Sequence, residues 1–183
     1  MIYMVEMDFP HPELLAEWHA WYRAHIGVLL TVPGFHASQR FQAIIRTASP
    51  YLALHEVASP ALFESPEYHA RGGPASTGKW RALHTNWRRN LLDGLDETPE
   101  VPDDKFLTVL RGGRDAAFPV DSPIFWLRGV GLDGTAGECG IAIISDPMPL
   151  VEIAHRDKRV RVYRPISEKI RAAAHRGGST SDS

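Results

Sequence analysis

One cysteine, Cys139, is all the thiol that this 183-residue chain has. An internal disulfide and every Cys-based zinc site are thereby excluded. Charge of one sign is scarce as well: 20 Lys and Arg stand against 22 Asp and Glu, a formal net charge of -2. No basic excess is left to neutralise a phosphate backbone, which argues against nucleic acid as a partner. The arginines at 88–89 and 156–164 read as solvated faces. No apolar run approaches the roughly 18 residues that a membrane-crossing helix needs. The opening Ile2-Tyr3-Met4-Val5-Glu6-Met7 is strand-like and lacks a signal-peptide pattern. A cytoplasmic location with no membrane partner is therefore expected. Metal-ligand spacing is missing too: among nine histidines, no two lie three or four apart with a carboxylate between them. Distant residues can still converge in a fold, but the sequence itself points to no metal and no cofactor.

What is present is an ordinary globular composition, 44% hydrophobic and 23% charged. Residues 2–8 alternate and read as a strand. A helix follows to about Thr31, with Pro12 suited to its first turn. Residues 35–45 and 51–57 read as two further strands. Ser65-Pro66 caps a short helix, and the glycine-bearing segment 71–78 reads as a flexible loop. Its small residues invite a phosphate-cradle reading, but no strand leads into it and P-loop spacing is absent. A second long helix is predicted over 79–92, with Trp80, Leu83, His84, Trp87 and Leu91 on one face. Residues 95–104 form an acidic, proline-bearing linker. From Lys105 the texture turns to strands, at 106–110, 124–132, 138–145 and 159–163, with a closing helix over 166–174. The chain thus divides into a first unit, 1–95, a β-rich second half, 105–176, and a polar tail, 177–183, expected to be disordered. The second half reads either as a degenerate second copy of the first or as a simple β-rich extension.

The helix before Pro33-Gly34 carries the most pointed signal. At about 100° per residue, Leu14, Trp18, Trp21, Tyr22, Ile26 and Leu29 form one stripe, and His25 lies near its middle. An ionisable ring on an apolar face needs a hydrogen-bond partner or its pKa falls. A core histidine satisfied by a carbonyl and a functional histidine both fit that position.

The run Trp21-Tyr22-Arg23-Ala24-His25, followed eight residues on by Pro33-Gly34-Phe35, resembles the first helix of EthD-like and related dimeric α/β-barrel proteins. Arg40-Phe41 resembles their arginine-aromatic pair. Leu52-Ala53-Leu54-His55-Glu56-Val57, with Ser65-Pro66-Glu67 beyond it, resembles their third strand and helix entry. The likeness covers residues 1–93. It implies a ferredoxin-like α+β fold, an antiparallel four-stranded sheet with helices on one face. The other face would close against a second sheet, usually from a second subunit, which implies a homodimer. The ligand pocket would lie between sheet and helices. Two departures stand out: the strand-rich stretch after 105 lies outside the usual short module, and His55 stands where an aromatic is more usual.

That superfamily includes monooxygenases, haem enzymes, isomerases, cyclases and lyases, and fold alone does not choose among them. The residue types favour cofactor-independent acid-base chemistry (lyase, isomerase or cyclase) on a small apolar, aromatic or polyketide-like carbonyl compound. A histidine can take a proton from carbon beside a carbonyl, and aromatic walls desolvate the site. His25 is the first candidate acid-base residue, with His55 and His84 next and Tyr22 beside them. Arg40 would hold an anionic group through its fork, with Glu6 near it and Trp80 and Trp87 walling the pocket. An ion pair of Arg40 with Glu6 or Glu56 is the structural alternative. An oxygen-using monooxygenase of the same fold, with or without haem, and a non-catalytic EthD-like small-ligand binder remain open.

Overall fold

Alternation along strand β1 (Ile2–Asp8) sends Ile2, Met4 and Glu6 to one face and Tyr3, Val5 and Met7 to the other, and both faces are buried. The computed structural model, which describes residues 1–114, 118–120 and 122–173, shows what covers each face. The tail expected to be disordered, 177–183, lies outside the described residues. After β1 come a 3-10 turn (Pro12–Leu14), helix α1 (Leu15–Leu29), strands β2 (Phe35–Ala43) and β3 (Tyr51–Val57), and helix α2 (Pro66–Arg71). Strands β4 (Thr85–Asp93), β5 (Phe106–Arg111), β6 (Phe125–Leu132) and β7 (Glu138–Ile144) follow, then helix α3 (Met148–Ala154) and strands β8 (Val160–Pro165) and β9 (Ile170–Arg171).

Strands β1 to β8 pair antiparallel around a closed ring, in the order β1-β3-β2-β8-β5-β7-β6-β4 and back to β1. Short β9 adds to β2 alongside β8. Each run of four successive strands takes the same order within the ring, fourth-first-third-second. The barrel interior is packed by residues such as Met4, Phe41, Leu54, Val109, Ile141 and Tyr163. Outside it, α1 and the turns before and after α2 cover Tyr3, Val5 and Met7. Helix α3 covers the second half with Leu150 and Ala154.

This architecture corrects the expected fold. The chain is not a ferredoxin-like α+β sheet with helices on one face that borrows a second subunit to become a dimeric α/β barrel. It is mostly sheet, with few helices, and one chain closes the eight-stranded barrel through the β4–β6 and β2–β8 ladders. Much of the difference lies in residues 79–92. Their apolar spacing suits a helix, but only a 3-10 segment ending at Leu83 forms, and Thr85–Asp93 is a strand. Trp87 and Leu91 pack outward beneath the helices while Leu92 faces the interior, which is a period of two. Asn86 sits at φ 51, and its amide donates to the Ala48 carbonyl at 2.9 Å while its own carbonyl accepts from Ser49 Oγ at 3.0 Å. That pinned bend breaks a helix and starts the strand. Over 166–173 a turn and β9 replace the helix expected over 166–174, whose last residue lies outside the described residues, and α3 stands where none was expected.

Glu6 and Glu56 point into the barrel, and neither meets Arg40. Glu6, 1% exposed, accepts from Arg111 on β5 and Arg161 on β8. Glu56 accepts from Thr98 N at 2.7 Å and pairs with buried Lys169, tying the linker and the C-terminal segment to the barrel. A carboxylate between two largely buried guanidiniums is costly to remove, because both cations lose their counter-charge. Glu6→Ala is expected to lower the free energy of unfolding by about 3–5 kcal/mol, measured by urea denaturation.

Candidate active site

Trp18 anchors the region from inside. It is wholly buried on α1, and Phe9 stacks on it at 4.8 Å with an interplanar angle of 6°. Its indole Nε1–H donates to His84 Nε2 at 2.8 Å. Indole nitrogen is a donor only, so Nε2 of His84 must be the bare acceptor, and the neutral ring carries its proton on Nδ1. That Nδ1 is buried and has no partner among the described residues. Trp87 Nε1, on β4, is buried and unpartnered in the same way. The two rings lie 5.8 Å apart. Buried donors are rarely left unsatisfied, and two in one place call for an acceptor from outside the chain.

Both residues line a narrow cleft, with about 40 Å³ of free space for a water-sized sphere, between the outer face of β1, β3 and β4 and the helices above it. α1 contributes Trp21, Tyr22, His25 and Leu29, β1 contributes Tyr3, Val5 and Met7, and β3 contributes His55. Residues around α2 and the following turn add Tyr68, Gly72, Gly73 and Thr77. Gly72 is required at its position: a Cβ there would stand 2.7 Å from Leu29 Cδ2 and 2.9 Å from the Tyr68 ring. His25 stacks on Trp21 at 5.1 Å and 14°, and stands perpendicular to Tyr22 at 6.1 Å. Neither of its ring nitrogens is hydrogen-bonded among the described residues. His55, 1% exposed, stacks on Tyr3 at 5.3 Å, and its Nδ1 lies 2.9 Å from Ser38 Oγ.

Burial keeps the histidines of the cleft uncharged. It pulls His25 and His84 down to about 4 and His55 to about 3, so all three rings are neutral at pH 7. Charge on His25 and on Arg40 further lowers His55 and His84. The Tyr22 phenol is pushed up to about 12 by burial. One guanidinium, Arg89, lines the cleft and lies 3.6 Å from Asp133. Neutral imidazoles, an aromatic wall, two unpaired N–H donors and the Arg89 guanidinium make a narrow slot that offers hydrogen-bond donors to an acceptor group such as a carbonyl.

Of the residues singled out from sequence, His25, His55, His84, Tyr22 and Trp87 come together in the cleft. Three do not. Trp80 is buried behind it, 5.7 Å from Trp21, as support for the wall. Glu6 is inside the barrel. Arg40 lies on the opposite side of Tyr22, its Cζ 3.9 Å from that ring, in a separate groove. Sequence reasoning missed Tyr3, Tyr68, Thr77 and Arg89. Tyr3 and Arg89 were findable from strand alternation, once 85–93 is read as a strand. Among the described residues no three His, Cys, Asp or Glu side chains converge as a metal site requires, and no helix is long and apolar enough to cross a membrane.

The lowered histidines have a thermodynamic consequence. A histidine near 6.5 when unfolded and about 4 when folded binds protons preferentially to the unfolded chain between those values. Stability is therefore full above about pH 6.5 and falls as pH drops toward 4. Urea midpoints at pH 7 and pH 5 should differ in that direction, and ring-proton titration by NMR should show His25 and His84 still neutral at pH 5.

No protein-family profile matches this chain. Comparison with curated proteins of described function finds no match either. Membership of the EthD-like family is therefore not shown. Among solved structures, the fold is similar to that of an anthrone oxidase-like protein, with a TM-score of 0.57 at 12% identity, over 94% of this chain and 93% of that one. At that identity the likeness is one of fold, extending over nearly the whole of both chains.

Proposed function

We propose that the cleft is the active site of a cofactor-independent enzyme that moves a proton on an aromatic or polyketide-like carbonyl compound. The observation that carries this reading is the pair of buried, unpartnered N–H donors, His84 Nδ1–H and Trp87 Nε1–H, in the same slot as the unengaged imidazole of His25. A carbonyl oxygen seated between those donors satisfies both. His25 takes the proton from the neighbouring carbon, and the C–H electron pair moves onto oxygen as an enolate. The two N–H groups meet the charge as it develops, which is where preorganised donors act most strongly. Burial holds His25 neutral, and the enolate charge growing beside it favours the imidazolium as the proton arrives. Returning that proton to another carbon, or to a leaving group, completes an isomerisation, a cyclisation or an elimination.

The name of the fold neighbour favours a second reading in which the same base takes a proton from a methylene across the ring from the carbonyl, the charge reaching the oxygen through the aromatic system. An anthrone is a tricyclic aromatic ketone whose ring methylene loses a proton readily. Its carbanion reacts with dioxygen as co-reactant, so that CH2 and O2 become C=O and H2O. The two readings diverge after deprotonation, and one probe separates them.

Anthrone is incubated with the purified chain in D2O under nitrogen, then in air with an oxygen electrode. Deuterium entering the methylene faster than in buffer, without oxygen uptake, supports proton transfer alone. Oxygen uptake above the buffer rate selects the oxidase. Saturable binding with neither leaves a non-catalytic ligand binder, and removes both enzymatic readings. In either enzymatic case His25→Ala should lower the rate by about 10²–10⁴-fold. Trp87→Phe, which keeps the ring and deletes one donor, should cost about 10²-fold.

A further inference from the structure

Arg40 stands alone in a way that calls for a ligand of its own. It is 5% exposed, and among the described residues no carboxylate pairs with it. The two carboxylates expected beside it, Glu6 and Glu56, point through the sheet into the barrel and are taken by Arg111, Arg161 and Lys169. What Arg40 has instead is aromatic: its Cζ lies 3.9 Å from the Tyr22 ring centroid and 5.0 Å from that of Trp18. Its Nη2 meets His19 Nδ1 at 3.3 Å. Cation–π contacts hold a guanidinium in place, but they do not neutralise it. A buried charge without a counter-charge is costly, and proteins pair such groups.

Arg40 lines a groove with ≈ 230 Å³ of free space, and Tyr22, packed on its guanidinium, lines the aromatic cleft. The groove is lined by His19 and Arg23 from α1, by Ser167, and by an apolar wall of Ile26, Ile166 and Ile170. That wall is fixed in place. Ile166 N donates to the Arg40 carbonyl at 2.9 Å, Arg40 N donates to Ser167 Oγ at 3.0 Å, and Ile170 pairs with Ser38 in the sheet. Arg23 adds a second cation at the rim, and burial with the two arginines holds His19 down at about 4. Glu168 is the carboxylate of the neighbourhood, exposed and lining the adjoining surface groove with Arg23.

We propose that this groove is a second ligand site, which binds the carboxylate of a small, otherwise apolar organic acid through the fork of Arg40, with Arg23 as an outer cation. Tyr22 lies against one face of the guanidinium, which leaves its N–H fork for in-plane partners, and such a fork suits two parallel bonds to a carboxylate. The three isoleucines select an apolar body behind the acid group. This inference is independent of the reaction assigned to the aromatic cleft.

Benzoate is the probe, titrated calorimetrically into the full chain at pH 7 and low salt, with benzyl alcohol and inorganic phosphate as comparators. Benzoate is expected to bind, benzyl alcohol at least about tenfold more weakly, and phosphate more weakly than benzoate. Arg40→Met should weaken benzoate at least about tenfold while the thermal midpoint holds or rises, because an uncompensated buried charge is removed. Should that variant fail to fold, exposed Arg23→Gln provides the test, with a loss of about two- to fivefold. His25→Ala, which alters only the other cleft, should leave the benzoate affinity unchanged. Equal binding of benzoate and benzyl alcohol, tighter binding of phosphate, or a loss confined to His25→Ala would each overturn the assignment.

Discussion

Strand edges that must find partners within one chain govern this structure. An unpaired edge leaves a row of backbone donors and acceptors exposed, and closing the ring removes every such edge at once. The ladders β4–β6 and β2–β8 are what close it. Closure forces each strand to serve two cores, one in the barrel and one beneath the helices, which is why β1 and β3 are buried along nearly their whole length. The register of those ladders then sets the chemistry. Tyr3 stands opposite His55 on one side and Leu91 on the other, so their side chains share the outer face that α1 covers.

Much of that face was legible in the sequence, and the reason is periodicity. The strands at 2–8, 35–45 and 51–57 were readable from local pattern, and the stripe on α1 placed His25 on the covered side of the helix. Residues 85–93 were not legible, because Trp87 and Leu91 satisfy a spacing of four as well as a spacing of two. What decides between them is distant: the bend at Asn86 is held by Ala48 and Ser49, and the strand is held by β1 and β6. The partners of Glu6 were hidden for the same reason, since Arg111 and Arg161 lie over a hundred residues away along the chain. The fold class was misread with them. A sheet left open over residues 1–95 asks for a second subunit, and the ring that actually closes it comes from strands whose pairing leaves no local trace.

Tyr22 divides two environments of opposite character. On one side lies a slot in which burial has stripped three histidines of charge. On the other, a guanidinium is kept charged although burial lowers it to about 10. The ring tolerates both neighbours because its face attracts the cation while its edge packs against neutral rings. Trp18 has a matching role a turn earlier, donating to His84 on the slot side and stacking near Arg40 on the other. Two aromatic residues of α1 thus fix the tautomer of one group and the orientation of another.

Closure by a single chain also changes what the sequence is free to do. In a ring built from two identical chains, symmetry obliges every position to serve twice, and any pocket occurs in duplicate. Here the two runs of four strands share an order but not a duty. The first is overlaid by α1 and holds the histidines, whereas the outer face of the second is sealed by α3 and packed with Leu110, Ile144 and Val162. One half can be spent on rigidity while the other is free to vary, so among the described residues each barrel carries its aromatic cleft on one half alone.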